Sequence, residues 1–174
     1  YDYDIPILSS FTHATWLSGT VFDGARAFDG YVPDLDLHCA RSIQSAKALG
    51  LNPIITKERI YDIAVEGIKK FPHGTHLYIK PMFWCDESPS IDLDPDSTRF
   101  CLSIQEFPLR PPTYLSICYT SRIKPLERCD ITGAKASCLY PNNGKALRYA
   151  LQKGFSDAIM CDIDGNVCEL TSSN

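Results

Sequence analysis

The chain has 174 residues, 44% hydrophobic and 22% charged, ordinary for a globular protein with one substantial core or two small ones. Its formal net charge of −4 gives no electrostatic reason to expect nucleic acid or an anionic membrane as a partner. No run approaches the roughly 18–20 apolar residues that span a bilayer, and the opening YDYDIPILSS lacks the basic and long apolar regions of a signal peptide.

The segment TVFDGARAFDGYVPDL reads as a strand, a turn at Asp29-Gly30 and a short return. A helix is predicted from about Leu35 to Leu49, closed by Gly50. In KERIYDIAVEGIKKF, Ile60, Ile63, Ala64, Gly67, Ile68 and Phe71 keep the i, i+3, i+4, i+7 spacing of an amphipathic helix, which Pro72 and Gly74 stop. THLYIKPMFW, RFCLSIQEF and TYLSICYTS are three predicted strands, rich in β-branched and aromatic residues. Between the last two lies FPLRPP, whose Pro108, Pro111 and Pro112 stiffen the chain and remove ladder donors. That stretch sets a domain boundary: residues 1–106 form an N-terminal α/β domain, 107–112 a linker, and 113–174 the start of a second domain. Beyond it come a loop to Lys135, a helix around Asn142–Lys153 ending at Gly154, and a hairpin, DAIMCD-IDG-NVCEL, turning at Asp164-Gly165. Helices beside short mixed strands predict an α+β class.

Eight cysteines stand at 39, 85, 101, 118, 129, 138, 161 and 168, with no Cys-x-x-Cys pair and no nearby His that would make a zinc knuckle. Most sit in apolar runs such as RFCLSI, LSICY and AIMCDI, so they read as reduced structural thiols of a cytoplasmic protein, and no metal site is expected.

The block from Gly133 to Asn174 carries the chemistry. Lys135 is followed five residues later by Tyr140; a helix ends at Gly154; Asp162 precedes the Gly165 turn; Glu169 on the return strand precedes Asn174 by five. This order resembles the catalytic block of the class IV (fold type IV) pyridoxal phosphate (PLP)-dependent aminotransferases, the family of branched-chain and D-amino-acid aminotransferases. THATWLSGTVFDGARAF and LHCARSIQSAKALGL resemble that family's Val-Phe-Glu-Gly-Ile-Arg segment and its His-x-x-Arg helix, and LYIKPMFW resembles the Tyr-Ile-Arg-Pro strand of the branched-chain enzymes. The resemblance runs from about Thr12 to Asn174.

The resemblance implies a role for each of these residues. Lys135, in a loop of small residues, is the amine that condenses with the cofactor aldehyde and then acts as base. Glu169, inside an otherwise apolar strand, holds the pyridine nitrogen protonated. Arg41 supplies a fork of donors for the phosphate, and Tyr140 a hydroxyl for the phenolate oxygen. Phe22, Arg26, Tyr78 and Lys80 are candidates for the substrate side, Tyr78 and Lys80 sharing one strand face. The plain alternatives are that Arg41 is a helix-surface charge paired with Asp34, Asp36 or Asp162, and that Glu169 is a cross-strand charge. His13 and His38 read as capping or core histidines, and Lys145 as part of a solvated helix face.

Two departures bear on substrate. Lys80 stands where the branched-chain pattern has Arg, replacing a planar fork with a point charge, and Trp16-Leu17 stands where His-Tyr is usual. A third is length, since family members continue past the Glu…Asn motif; the chain is expected to be the N-terminal two-thirds of a two-domain, D-amino-acid aminotransferase-like enzyme, without its C-terminal part. The expected activity is transfer of an amino group between a branched-chain L-amino acid and a 2-oxo acid such as 2-oxoglutarate, by a homodimer. Alternatives are a D-amino-acid or (R)-amine transaminase, an aminodeoxychorismate lyase, or a catalytically silent relative, which would have no reason to keep Lys135 and Glu169 together.

Overall fold

A computed structural model describes residues 5–111 and 113–173. Pro112 of the predicted linker and Asn174 of the motif lie outside the described residues. The chain divides into two compact units. One runs to Arg110 and takes in Gly133–Ser137; the other comprises Pro111–Thr132 and the chain from Cys138. The Lys135 segment thus belongs with the first unit, although in sequence it lies beyond the predicted boundary.

In the first unit a short helix α1 (His13–Leu17) precedes strands β1 (Thr20–Phe22) and β2 (Ala25–Ala27), helices α2 (Leu35–Leu49) and α3 (Lys57–Ile68), and two long strands, β3 (Leu77–Cys85) and β4 (Thr98–Glu106). All neighbours are antiparallel; β4 covers one edge of β3, and β1 and β2 share the other. β1 and β2 are one strand in register, since Phe22 faces Met82 and Ala25 faces Ile79, which sets Asp23 opposite Pro81. Pro81 accepts from the Asp23 N–H at 3.0 Å but has no N–H to return, and there the regular ladder lapses.

Alternation along β3 buries Leu77, Ile79 and Phe83. Helix α2 packs on β1 and β3, and α3 on β3 and β4. Ile60, Ala64, Cys39 and Ala46 complete the core. Gly50, at φ +96°, closes α2 in the left-handed conformation, and the Thr56 hydroxyl caps α3 by accepting from the Arg59 N–H at 3.2 Å. The Asp29-Gly30 turn is present, with φ +50° and +81°, but the return is a single bridge, Phe28 to Tyr31.

The second unit holds β5 (Ile117–Ile123), helix α4 (Tyr140–Gln152), β6 (Asp157–Cys161) and β7 (Val167–Leu170). The sheet order is β5-β6-β7, with β5 parallel and β7 antiparallel to β6. Helix α4 connects the parallel pair and packs on both strands through Asn143, Ala146 and Ala150. The strand predicted from Thr113 begins at Ile117. The α+β class expected from the sequence is the one observed. The cysteines are more varied than expected: Cys39 and Cys85 are buried, Cys129 and Cys168 exposed, the rest partly covered.

Candidate active site

Lys135 is fixed through its backbone. Its N–H donates to the Ser45 hydroxyl of α2 at 3.0 Å, and its carbonyl accepts from the Phe22 N–H at 3.1 Å. Next to it Ala136 bridges antiparallel to Val21, so the segment lies along β1 as a stub of strand. Ala134 and Ala136 are buried on either side, whereas the lysine itself is partly covered. Its ammonium stands 5.5 Å from the centre of the Phe22 ring. The small residues noted in the sequence are what allow the segment to press against β1 and α2.

Cross-strand partners share a sheet face, so Phe22, Gly24 and Arg26 line up with Met82, Lys80 and Tyr78 on the side of the sheet away from the buried residues. All four substrate-side candidates therefore lie on one face, and the Lys135 ammonium lies on it too, over Phe22. Tyr78 leans over Gly24: a Cβ there would come within 2.3 Å of its hydroxyl and 2.8 Å of its ring. Arg26 donates to the Phe107 carbonyl at 2.5 Å and stacks 4.7 Å from that ring's centre. Lys80 faces Ser103 of β4.

On the opposite, inward face sits Asp23, fully buried. Its carboxylate accepts from the Gly24 N–H at 2.7 Å and from Arg41 Nε and Nη2 at 2.6 and 2.7 Å, and lies 2.8 Å from His38 Nδ1. Burial pushes its proton affinity up, but the hydrogen bonds from Arg41, His38 and Gly24 outweigh burial and leave the carboxyl below the ordinary value. Arg41 is thus ion-paired with Asp23. Asp162 is engaged in its own turn, accepting from Asn166 Nδ2 at 2.9 Å and from the Asn166 and Asp164 N–H groups, contacts that hold its carboxyl below the ordinary range.

The sequence reading missed Asp23, although the signal was available. Alternation sets it beside Val21 and Ala25 on the inward face, where a carboxylate needs a cation, and His38 and Arg41 present one side of a helix. His38 is this carboxylate's partner, and His13 is a core residue whose Nε2 lies 3.2 Å from the Ile91 carbonyl oxygen.

In the second unit Glu169 on β7 is partly buried and ion-paired with Lys124, which follows β5. Lys124 also donates to Asn143 Oδ1 at 3.5 Å. Sequence reading missed Lys124, which is 45 residues from its partner and carries no local signal. Tyr140 opens α4 and is partly covered, and Lys145 on the same helix is exposed. Among the described residues there is no cluster of metal-ligating side chains and no helix long and apolar enough to cross a membrane.

Residues 20–174 match the family described as amino-transferase class IV. A relative named "probable branched-chain-amino-acid aminotransferase", from Rickettsia typhi, is 30% identical over 99% of this chain and 60% of its own length. The crystal structure of an aminotransferase from Brucella abortus, bound to the co-factor PLP, superposes with a TM-score of 0.96 at 44% identity, covering 98% of this chain and 62% of that one. A branched-chain aminotransferase from Thermoproteus uzoniensis, with norvaline, gives 0.85 at 26% identity, covering 98% and 60%. The chain spans about 60% of the length of the curated relative.

Proposed function

The chain belongs to the class IV aminotransferase family, and from that premise we propose that it is part of a PLP-dependent aminotransferase in which Lys135 carries the cofactor. The observation that supports this best is the mounting of Lys135. Its backbone is tied to both β1 and α2, and its ammonium stands over the Phe22 ring on the face that bears Arg26, Tyr78 and Lys80. The donor set fits the cofactor in kind, with an amine on a fixed backbone, an arginine held by a buried carboxylate, and a carboxylate on an otherwise apolar strand. Bound there, PLP supplies an aldehyde for amines and a ring that withdraws electrons.

The protein's own groups do the rest. Lys135 would hold the cofactor through its side-chain nitrogen, and the same amine would serve as the base for the proton on the substrate's α-carbon. Arg41, kept in one orientation by its two hydrogen bonds to Asp23, would meet the phosphate. By the family resemblance, Glu169 would keep the ring nitrogen protonated and Tyr140 would offer its hydroxyl to the phenolate oxygen. Phe22, Arg26, Tyr78 and Lys80 shape the substrate side. We assign a branched-chain L-amino acid as donor and a 2-oxo acid such as 2-oxoglutarate as acceptor, supported by the relatives' names and by the Val-Phe-Asp-Gly and Tyr-Ile-Lys-Pro segments. A cytoplasmic homodimer completes the proposal, on family resemblance.

The purified protein should bind PLP with a visible band that borohydride bleaches, and mass spectrometry should then find the reduced adduct on the Lys135 peptide. Lys135→Ala should abolish the adduct; an adduct that persists in that variant refutes the assignment. Amino transfer from leucine to 2-oxoglutarate tests the substrate. Transfer from D-alanine or (R)-1-phenylethylamine but not from leucine would replace the branched-chain reading.

A further inference from the structure

We propose that Lys124 is a positioning residue that holds the Glu169 carboxylate in place for the cofactor's ring nitrogen; the inference rests on the assignment of Glu169 made above. Lys124 stands just past the end of β5, its N–H donating to the Cys161 carbonyl of β6 at 2.8 Å. From that anchor its side chain crosses β6 and pairs with Glu169 Oε1 on β7, two strands away. Both side chains are mostly covered, 22% and 35% exposed, unlike the surface pairs Lys57–Glu58 and Arg59–Glu66, whose side chains are all more than half exposed.

The ammonium is aimed by a second contact. Asn143 of α4 is 8% exposed, and its Nδ2 donates to the Thr171 carbonyl at 2.8 Å. That bond fixes which way the amide faces and turns its Oδ1 toward Lys124, at 3.5 Å. Thr171 is itself held, its hydroxyl and N–H both donating to the buried Asp157 carboxylate, at 2.5 and 3.3 Å. The chain Asp157–Thr171–Asn143–Lys124 therefore ends on Glu169. A glutamate on a strand has several rotatable bonds, and a ligand group is met best by one whose oxygens are already placed. Lys124 ties Oε1, so Oε2 would be the oxygen to meet a ring N–H.

A salt bridge that only fastens β5 to β7 would look similar, so the test must sense the ring nitrogen. The wild-type protein and its Lys124→Met, Lys124→Gln and Lys124→Arg variants would be titrated with PLP and with its analogue carrying carbon in place of the ring nitrogen, following absorbance and fluorescence. Lys124→Met and Lys124→Gln should weaken PLP binding about tenfold, the scale of losing a group that orients a direct ligand. Binding of the carbon analogue should not change. Lys124→Arg should restore most of the PLP affinity, and Lys124→Met should cost nothing further in a Glu169→Gln background. Equal losses for both ligands, or no loss for either, would overturn the proposal. Should Lys124→Met not fold, Lys124→Gln keeps a side chain of polar character and decides the same question. If the wild-type protein shows no reducible PLP band, the parent assignment falls and this one falls with it, an outcome distinct from a variant that binds both ligands like wild type.

Discussion

Removing Asp23 should be among the more costly single changes in the first unit. The residue is 0% exposed and is the common acceptor for Gly24, His38 and Arg41. Stripping one partner from a fully buried ion pair costs about 3–5 kcal/mol. Here the Arg41 side chain is 51% exposed and can return partly to water, which lowers the figure for Asp23→Ala to about 2–3 kcal/mol. At about 2–4 °C per kcal/mol for a chain of this size, the melting temperature should fall by roughly 5–10 °C. Asp23→Asn keeps an acceptor and the shape but not the charge, and should lose slightly less.

The pH dependence gives a second reading of the same pair. Because the folded carboxyl sits below its ordinary value, its contribution is complete above the unfolded value of about 4 and is lost as pH falls through the folded one. The stability gap between wild type and Asp23→Asn, measured by urea unfolding, should therefore be full at neutral pH and shrink below about pH 4. A gap that stays constant down to acid pH, or a loss under about 0.5 kcal/mol at neutral pH, would refute the assignment of a net-stabilising ionised Asp23.

Two further substitutions test the face and the mounting of Lys135, and a labelling experiment tests the buried Cys39. Gly24→Ala sets a Cβ 2.3 Å from the Tyr78 hydroxyl and should destabilise by about 1–3 kcal/mol; in a Tyr78→Ala background the same change should cost little, as a double-mutant cycle in urea would measure. Ser45→Ala removes the acceptor of the Lys135 N–H; it should cost about 1 kcal/mol and lower the yield of the borohydride-trapped adduct on Lys135 at limiting PLP, which quantitative peptide mapping would read. Burial first, then the charges of Asp23 and Asp36, push the Cys39 thiol up to about 11, so iodoacetamide at neutral pH should spare Cys39 and alkylate the exposed Cys129 and Cys168, with Cys39 reacting only after unfolding.

What could be read from the sequence follows the range of the interactions involved. Helices α2, α3 and α4 and the hairpin of β6 and β7 rest on periodicity, caps and turn glycines within a dozen residues, and they stand close to where those signals put them. Helix α1 has five residues, too few for a period to register, and it went unseen. The grouping of Lys135 with the first unit was equally hidden, because its hydrogen-bond partners, Ser45 and Phe22, are 90 and more residues away in sequence. The motif order identified the lysine; only the fold reveals that β1 and α2 hold it.

Arg41 shows how a local argument goes astray when the real partner is distant. Asp34 and Asp36, at the start of its helix, are the natural candidates for a surface pair, yet the ion pair the structure shows is with Asp23. The deciding fact is the inward register of β1 and β2, which buries Asp23 and leaves a carboxylate that must be met by cations from the helix packed over it. The same logic extends to Glu169. A carboxylate in an apolar strand suggested a functional role, but its partner, Lys124, comes from just past the end of the strand two places away in the sheet, and only the sheet order places the two together. In both cases an acid at a covered strand position is the legible half of a pair. Its cation is the half that the sequence withholds, because the pairing is fixed by which elements pack and not by spacing along the chain.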